Sequence, residues 1–362
     1  MACHAFKFWD NQRACLAMVF MQLLYAGMAL LSKAALNKGM SYFVFVVYRQ
    51  AIATLALTPF VCIYERRKAP PMSLIVFCKI FLLALLGLTL SMDLYYMALR
   101  YTSATFATTI INIIPAMTFL IAILLRIESI NLRRTYGRLK IVGMLICIGG
   151  AVLLSLYQGP PLKLLNWHHN IAPPRGRGVL ISHGEDKPMT LKGPLLMFAA
   201  FTAWSIWFVM QAEILKDYPA KMQLTALQCF LSTIQSAITA LILDRNIDSW
   251  KLGWNIQLLS VVYCGIFVSG VSYWLQIWCI ETKGPVYVAM FSPLSVPITA
   301  ILSALLWAEL IYFGSVVGGL LIVGGLYCVL WGKSKEVENG SLENVIVPSG
   351  TPKDKLADLE RG

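Results

Sequence analysis

Apolar residues run along this chain in long stretches whose lengths match the thickness of a lipid bilayer. A hydrocarbon core about 30 Å thick is crossed by a helix of roughly 20 apolar residues. Ten stretches meet this length, near residues 14–34, 41–64, 74–98, 103–125, 138–157, 191–215, 219–243, 255–277, 285–308 and 312–332. Runs such as VVGGLLIVGGLYCVLWG are apolar on every face, which excludes the alternating strands of a membrane barrel. The pattern predicts an all-α integral membrane protein with ten transmembrane helices.

The two halves of the chain repeat each other at a spacing of 181 residues. This shift pairs Glu128 with Glu309 and Gly137 with Gly318, and the register continues through the helices that follow. Each repeat holds five spans, an odd number, so the second repeat starts from the opposite side of the membrane. The sequence therefore predicts two inverted five-helix repeats, an arrangement common among secondary transporters.

Basic residues set the expected orientation. Lys and Arg concentrate in the short loops that share a side with the N-terminus, as in cytoplasmic loops, so both termini are expected in the cytoplasm. The first span lacks a small-residue cleavage site and is expected to stay as a signal anchor. The predicted units are a cytoplasmic N-terminus (1–13), a first repeat (14–157), an extracytoplasmic linker (158–190), a second repeat (191–332) and a disordered cytoplasmic tail (333–362).

Composition supports the membrane assignment and narrows the function. The chain is 58% hydrophobic and 13% charged, with a mean hydropathy of +0.68, which is too apolar for a soluble domain. Its net charge of +12 suits cytoplasmic loops beside anionic lipid, and the sequence holds no nucleic-acid motif. No hydrolase or zinc-protease motif and no C-x-x-C pair is present, so we expect no catalytic residue, no cofactor and no metal. His168, His169 and His183 leave a metal on the outer face as a minor alternative to solvated loop histidines.

A few charged residues lie at membrane depth, where they cost about 2.5 to 3.5 kcal/mol and are functional candidates by default. Arg49 in span two either contacts an anionic substrate or ties helices together, and the structural role is favoured. Asp93 in span three is a candidate site for a proton or a substrate amine, with a structural ion pair to Arg49 or Arg100 as the alternative. Glu128 and Glu309 end equivalent helices and resemble matched structural caps or gates.

Neutral polar and aromatic residues outline a candidate cavity. Three prolines interrupt helical hydrogen bonds at similar depths in the two repeats, which favours a cavity between spans three, four, eight and nine. The alternatives for each residue are interhelical hydrogen bonding and plain packing. The prolines are Pro115, Pro293 and Pro297. The cavity candidates are Gln22, Tyr25, Asp93, Tyr95, Tyr96, Thr108, Asn112, Trp204, Trp207, Gln211, Tyr273, Trp274 and Gln276.

Several short motifs together resemble a known family. They include Tyr48-Arg49-Gln50, Leu94-Tyr95-Tyr96, the run at 101–106, Asn112 before Pro115, and Gly284-Pro285-Val286. With these motifs the chain, from about residue 12 to 335, resembles the plant nodulin-like EamA-domain transporters of the drug/metabolite transporter superfamily, which include the Walls Are Thin and UMAMIT groups. Asp93 departs from the amide usual in that family, and Ala98 from its usual glycine.

The resemblance implies a non-enzymatic transporter of small organic solutes, amino acids in many members and auxin-like compounds in some. It also implies a plant plasma membrane or a vacuolar or other endomembrane. We expect alternating access around a mid-membrane cavity; a channel-like facilitator is the alternative, and a non-transporting sensor or scaffold ranks below it. The expected partners are the solute and the lipid bilayer, with protons as a candidate coupling ion and a homodimer as a candidate assembly.

Overall fold

The computed structural model describes residues 2–65, 72–99, 101, 112–127, 134–157, 160–162, 192–244, 247–253, 255–307 and 311–346. Within these ranges, nine helices are long and apolar enough to cross a membrane, and Ile114–Leu124 is a shorter apolar helix at the position of the predicted fourth span. The predicted all-α membrane fold is confirmed. We number the spans one to ten in chain order.

Spans of the first repeat are helices with local changes of winding. Span one is Ala2–Asn37, and span two is Tyr42–Phe60 continued by a π-helical turn at Val61–Glu65. Span three consists of Leu74–Leu83, a π-helical segment Ala84–Leu90, and Ser91–Leu99. Spans four and five contain Ile114–Leu124 and Thr135–Leu156.

The second repeat has the same kinds of segment. Spans six and seven are Lys192–Asp217 and Lys221–Leu243, followed by a 3-10 turn at Ile247–Trp250. Span eight consists of Ile256–Tyr263, a π-helical segment Cys264–Ser272, and Tyr273–Lys283. Span nine consists of Pro285–Met290, a 3-10 turn Ser292–Leu294, and Ser295–Trp307, and span ten is Phe313–Ile346.

Irregular winding falls at equivalent positions of the two repeats. Adding 181 to the bounds of Ala84–Leu90 gives 265–271, which lies inside the π-helical segment Cys264–Ser272. The same shift takes the start of Ile114–Leu124 to 295, where Ser295–Trp307 begins. π-Helical segments inside α-helices are frequent at functional sites. The repeat therefore extends from the residue pairs to the shape of the helices.

Spans five and ten pack against each other in antiparallel directions through glycines. A Cβ on Gly143 would lie 2.7 Å from the Gly325 carbonyl oxygen, and one on Gly150 would lie 2.9 Å from the Gly318 carbonyl oxygen. The thiol of Cys147 lies 3.3 Å from the Ile322 carbonyl oxygen, in the same antiparallel register. Small residues allow this close approach of two backbones in a membrane.

Other equivalent helices also run antiparallel. Between spans two and seven, Phe43 and Val47 cluster with Ala240, while Glu65 at the other end of span two accepts from the backbone N–H of Gln223. Spans three and six are not equivalent under the 181-residue shift, but they also pack antiparallel, since Lys79 meets Asp217 and Tyr95 meets Phe201. Antiparallel contact between equivalent spans is the geometry that an inverted repeat requires.

A short β-bridge joins the linker to the loop before span ten. Strand β1 (Pro161–Leu162) pairs antiparallel with strand β2 (Ile311–Tyr312). The Phe313 N–H donates to the Pro160 carbonyl at 3.1 Å, and a Cβ on Gly314 would overlap the Tyr157 backbone. The bridge ties the end of span five to the start of span ten.

Candidate functional site

Arg49 is the centre of a buried polar cluster between spans two and eight. Its side chain is 1% exposed. Nε donates to the Ser269 hydroxyl at 2.6 Å, Nη2 donates to the Tyr273 hydroxyl at 2.9 Å, and the guanidinium carbon lies 5.8 Å from the Tyr273 ring centroid. Ser269 belongs to the π-helical segment of span eight, and Tyr273 follows it directly. The altered winding thus presents two hydroxyls to one guanidinium, and Arg49 links two helices without reaching the surface.

Aromatic side chains of span six form one wall of this cluster. The ring centroids of Trp204 and Trp207 are 5.1 Å apart in a stacked arrangement, and they lie 6.2 Å and 5.9 Å from the Tyr273 ring. A Cβ on Gly87 would overlap the Trp207 indole, so the glycine in the π-helical segment of span three leaves the space that this indole occupies. We name Arg49, Ser269, Tyr273, Trp204 and Trp207 the arginine–aromatic cluster.

Two buried glutamines extend the cluster toward spans six and seven. Gln211 donates from Nε2 to Gln228 Oε1 at 2.7 Å, and the Trp207 indole N–H donates to the same oxygen at 3.3 Å. Both glutamines are at most 1% exposed. Gln211 Oε1 and Gln228 Nε2 have no hydrogen-bond partner among the described residues. Buried amides with spare capacity are suited to binding a polar solute or water.

Span one contributes two more of the predicted residues. The Tyr25 hydroxyl donates to Gln276 Oε1 at 3.4 Å, which joins span one to span eight one turn beyond Tyr273. Gln22 is 3% exposed and lies one turn before Tyr25. Tyr273 accepts from Arg49 Nη2 at 2.9 Å, so side chains of spans one, two and eight lie close together here.

A second aromatic group lies beside the cluster, toward the end of span three. The Tyr96 ring stacks on Tyr42 at 5.2 Å and meets Tyr95 edge-on at 5.3 Å. Tyr95 in turn lies 6.0 Å from the Phe201 ring of span six. Trp274 is half-buried, and among the described residues no ring contact joins it to either aromatic group. Tyr95 and Tyr96 thus belong to the site's surroundings, whereas Trp274 stands apart.

A cavity of about 370 Å³ opens at the membrane end where spans six and eight finish. Three lysines and one glutamate line it, with apolar residues between them, and Lys221 of span seven forms an ion pair with that glutamate. Its lining residues are Ile127, Ala212, Leu215, Lys216, Ile280, Glu281, Lys283, Gly284, Pro285 and Lys333. We name it the lysine-end cavity. Ala212 and Ile280 lie within about one helical turn of Gln211 and Gln276, so the cavity floor adjoins the polar cluster.

This location differs from the predicted one between spans three, four, eight and nine. The first segment of span nine, Pro285–Met290, is buried at every residue and packs against Ile114–Leu124 and span six. Among the described residues, this segment of span nine is therefore closely packed against spans four and six. The polar side chains instead converge between spans one, two, six, seven and eight, and the cavity lies among spans six, eight, nine and ten.

The prolines coincide with the helix interruptions. Pro293 lies in the 3-10 turn that divides span nine, and Pro297 is in the first turn of Ser295–Trp307. Pro115 is in the first turn of Ile114–Leu124, where proline is tolerated because the first amide groups of a helix need no intrahelical acceptor. Asn112 is buried directly before that helix. Thr108, Glu128 and Glu309 lie outside the described residues.

Asp93 is buried and its neighbour is a hydroxyl. It is 8% exposed, its hydrogen-bond partner is Thr239 of span seven, and its Oδ1 has no partner among the described residues. Within the same part of the chain, no ion pair joins Asp93 to Arg49, whose side chain bonds to Ser269 and Tyr273 instead. The predicted alternative of an ion pair between Asp93 and Arg49 is therefore wrong. The other predicted partner, Arg100, lies outside the described residues.

Metal-binding side chains do not cluster in the part of the chain that the structure describes: no group of three or more His, Cys, Asp or Glu residues there could hold an ion. His168, His169 and His183 lie outside it. What the site offers chemically is a buried cation, hydroxyls, amides and aromatic faces. Such groups bind and orient a solute, and they include no activated nucleophile.

Comparison with known proteins gives the class. The model of the EamA-like transporter family matches residues 12–156 and 191–331, one domain in each half. Two WAT1-related proteins of Arabidopsis thaliana are similar, at 45% identity over 93% of this chain and 94% of the relative, and at 46% identity over 91% and 93%. A solved crystal structure covers 88% of this chain and 97% of its own with a TM-score of 0.65 at 17% identity, which shows a shared fold.

The molecule is therefore a multi-pass membrane transporter of the drug/metabolite transporter superfamily with two EamA domains. The chain belongs to the EamA-like transporter family, and its relatives are WAT1-related plant proteins. The resemblance inferred from the sequence motifs is confirmed. The predicted domain limits, 14–157 and 191–332, stay predictions.

Proposed function

We propose that this protein carries a small organic solute across the membrane by alternating access, with the arginine–aromatic cluster as its binding site. The observation that carries the proposal is the buried Arg49 guanidinium, whose bonded partners Ser269 and Tyr273 are neutral hydroxyls. Among the described residues, no carboxylate forms an ion pair with it. A buried cation without an anionic partner is costly, and an anionic solute would supply that partner.

The neighbouring groups favour an amino acid or an auxin-like metabolite. Trp204, Trp207 and Tyr273 offer flat apolar faces, and Gln211 and Gln228 offer amides for a polar substituent. A carboxylate held by Arg49 with an apolar or aromatic body against these rings would use both features. This chemistry matches a solute with one carboxyl group and a compact organic body.

Two features support a route for the solute. The lysine-end cavity adjoins Gln211 and Gln276, and Lys216, Lys283 and Lys333 give its mouth an excess of positive charge that attracts anions. On the opposite end, the β-bridge ties the linker to the loop before span ten. We infer that the described conformation opens at the lysine end.

Alternation between two openings follows from the repeat. Equivalent spans pack antiparallel, and the matched π-helical segments and helix starts put points of altered winding at equivalent depths. In an inverted repeat, the two halves exchange conformations when the site changes its opening from one side to the other. We propose that this exchange is the transport step and that no covalent chemistry takes part.

Orientation, membrane and assembly complete the proposal. The basic-residue bias supports a cytoplasmic location for both termini and for the lysine end, which we propose. A plasma membrane or a vacuolar or other endomembrane is the proposed location. A homodimer is the proposed alternative to a monomer.

Counterflow in proteoliposomes tests the function. Vesicles preloaded with one unlabelled solute are diluted into the same labelled solute, using a panel of amino acids and indole-3-acetate. A carrier gives transient accumulation of label for at least one compound, and Arg49→Gln abolishes it while Arg138→Gln, at an exposed arginine of span five, does not. Linear flux that ignores the solute inside the vesicle is the result of a channel-like facilitator, and no flux for any compound contradicts the proposal.

A further inference from the structure

Span seven carries a row of polar side chains, four of them buried, of which only Gln228 also belongs to the proposed solute site. They occur at 228, 232, 235, 236 and 239, a spacing that puts them on one face of a helix. Gln228, Ser232, Gln235 and Ser236 are each at most 8% exposed. Eleven residues of helix cover about 16 Å, roughly half of a hydrocarbon core.

Span three completes this row on the facing helix. The Thr89 hydroxyl donates to Gln235 Oε1 at 2.9 Å and lies 3.0 Å from the Ser232 hydroxyl. One turn further along span three, Asp93 is paired with Thr239. We name this set, Thr89, Asp93, Gln228, Ser232, Gln235, Ser236 and Thr239, the polar seam.

We infer that the polar seam conducts protons between Asp93 and the lysine-end cavity and thereby couples solute movement to a proton gradient. The inference rests on the proposed transport function and adds its energy source. No part of it requires a change in the solute site.

Unpaired polar atoms along the seam indicate that it holds water. Three seam atoms, Gln228 Nε2, Ser236 Oγ and Asp93 Oδ1, and the adjoining Gln211 Oε1 have no hydrogen-bond partner among the described residues, although all four are buried. An unsatisfied buried polar group costs about 1–3 kcal/mol, and ordered water is its usual partner in folded proteins. Several such atoms in a row favour a file of water molecules over isolated ones.

The two ends of the seam lie toward opposite membrane surfaces. Gln228 bonds to Gln211, whose neighbour Ala212 lines the lysine-end cavity. Asp93 is six residues before the last residue of Ser91–Leu99, about 9 Å along the helix. Cavity and seam together therefore extend across most of the membrane.

Protonation of Asp93 changes the hydrogen bond that the Thr239 hydroxyl makes. The Thr239 hydroxyl has one proton and also lies 3.1 Å from the Gln235 carbonyl oxygen. An ionised Asp93 accepts that proton in a hydrogen bond, whereas a protonated Asp93 donates to Thr239 and leaves the hydroxyl free to donate to Gln235. Proton transfer is balanced: the carboxylate takes a proton from a hydronium ion, leaving water, and later returns it to water at the other end.

Several other titratable groups lie on the helices around Asp93. They are Tyr95 and Tyr96 on the same helix, Tyr42 and Arg49 on span two, Lys192 at the start of span six and Asp244 at the end of span seven. Arg49 is held by Ser269 and Tyr273, and Asp244 accepts from Ser249. In the described part of the chain, none of them forms an ion pair with Asp93.

The test is solute uptake driven by a pH gradient in proteoliposomes, with the amino-acid and indole-3-acetate panel as probes. A gradient of about two pH units supports at most about 100-fold accumulation for one proton per solute. We expect wild-type uptake to rise at least ~3-fold over the gradient-free control. Asp93→Asn should lose this rise and keep counterflow within about twofold of wild type, because the solute site is intact.

Two matched variants separate the seam from general damage. Ser236→Val replaces a seam hydroxyl and should reduce the gradient response, whereas Thr233→Val, on the same helix off the seam, should not. Asp217→Asn, at an exposed aspartate paired with Lys79, should behave as wild type. If wild type shows counterflow but no gradient response, or if Asp93→Asn keeps the full response, the proton pathway is refuted while the transport proposal stands. Absence of wild-type counterflow refutes the transport proposal itself.

Discussion

The Tyr273 hydroxyl of span eight accepts from Nη2 of Arg49 of span two at 2.9 Å. This bond joins one helix from each repeat at a point where span eight has just left a π-helical segment. A guanidinium has five donors and a fixed planar shape, so it can hold Ser269, Tyr273 and a solute carboxylate at once. The sequence left two roles open for Arg49, tying helices together and contacting an anionic solute. One guanidinium can therefore fill both roles.

Arg49→Lys keeps the charge but not the fork of donors. A lysine ammonium cannot reproduce the two-hydroxyl geometry, so we expect at least ~10-fold lower counterflow and a loss of about 1–3 kcal/mol in stability. Counterflow and thermal unfolding in detergent measure the two effects. Arg138→Lys at the exposed start of span five is the control. Wild-type flux in Arg49→Lys would remove Arg49 from the solute site.

Gly87→Ala should destabilise the protein by overlap with the Trp207 indole. Overpacking of this kind costs typically about 1–3 kcal/mol. Gly149→Ala in span five, where a Cβ has no neighbour within 4 Å, is the matched control for thermal unfolding. Combining Gly87→Ala with Trp207→Ala should recover part of the loss, because the overlap is then gone. Equal melting of the Gly87 and Gly149 variants would contradict the packing described.

Gly325→Ala and Gly324→Ala test the contact between spans five and ten with neighbouring residues. A Cβ on Gly325 would lie 2.6 Å from the Gly143 carbonyl oxygen, while one on Gly324 has open space around it. We expect a loss of about 1–3 kcal/mol for the first change and less than about 0.5 kcal/mol for the second. Thermal unfolding of the two variants, measured side by side, gives the two losses in stability. A larger loss for Gly324→Ala than for Gly325→Ala would contradict the antiparallel register of spans five and ten.

Glu65 caps the start of span seven from the end of span two. Its carboxylate accepts from the backbone N–H of Met222 at 3.2 Å and of Gln223 at 2.8 Å. Because these N–H groups lie in the first turn of a helix, Glu65→Ala should cost about 0.5–2 kcal/mol. Glu213→Ala, at an exposed residue paired with Lys216, should cost about 0–1 kcal/mol. Similar melting of the two variants would show that the cap contributes little.

Tyr218 makes stability depend on alkaline pH. Burial, and to a lesser degree the nearby Glu65 charge, raises the pKa of the Tyr218 phenol. The folded state therefore holds the phenolic proton more tightly than the unfolded state does. This stabilisation is complete below the unfolded pKa of about 10 and is lost as pH rises through the folded pKa. Tyr218→Phe should flatten the loss of melting temperature above about pH 10; an unchanged profile would assign that loss elsewhere.

Much of the fold could be predicted because membrane helices are specified by length and apolarity alone. Prolines at similar depths in the two repeats also predicted matched changes in the helices, and the structure has helices that begin at Ile114 and Ser295, 181 residues apart. The π-helical segments at 84–90 and 264–272 could not be predicted, because their apolar sequences differ little from those of an α-helix. The bonds of Arg49 to Ser269 and Tyr273 depend on that winding, so they could not be predicted from the sequence either.

The polar seam was missed although its signal is in the sequence. Gln228, Ser232, Gln235, Ser236 and Thr239 recur at helical spacing along one face of span seven. Taken singly, each of these residues is consistent with ordinary interhelical hydrogen bonding, and only their shared periodicity distinguishes them. The polar cluster lies away from the predicted cavity for a different reason: proline positions predict where a helix is interrupted, but not which polar side chains meet beside the interruption.

Alternating access is tested most directly by pairs of spin-label distances in the full-length protein. One pair, on Lys216 and Lys333, reports on the lysine-end cavity, and the other, on Lys38 and Tyr157, reports on the opposite end of spans one and five. On addition of a solute that shows counterflow, the first distance should shorten while the second lengthens. Two distances that stay fixed, or that change in the same sense, would contradict alternating access by exchange between inverted repeats.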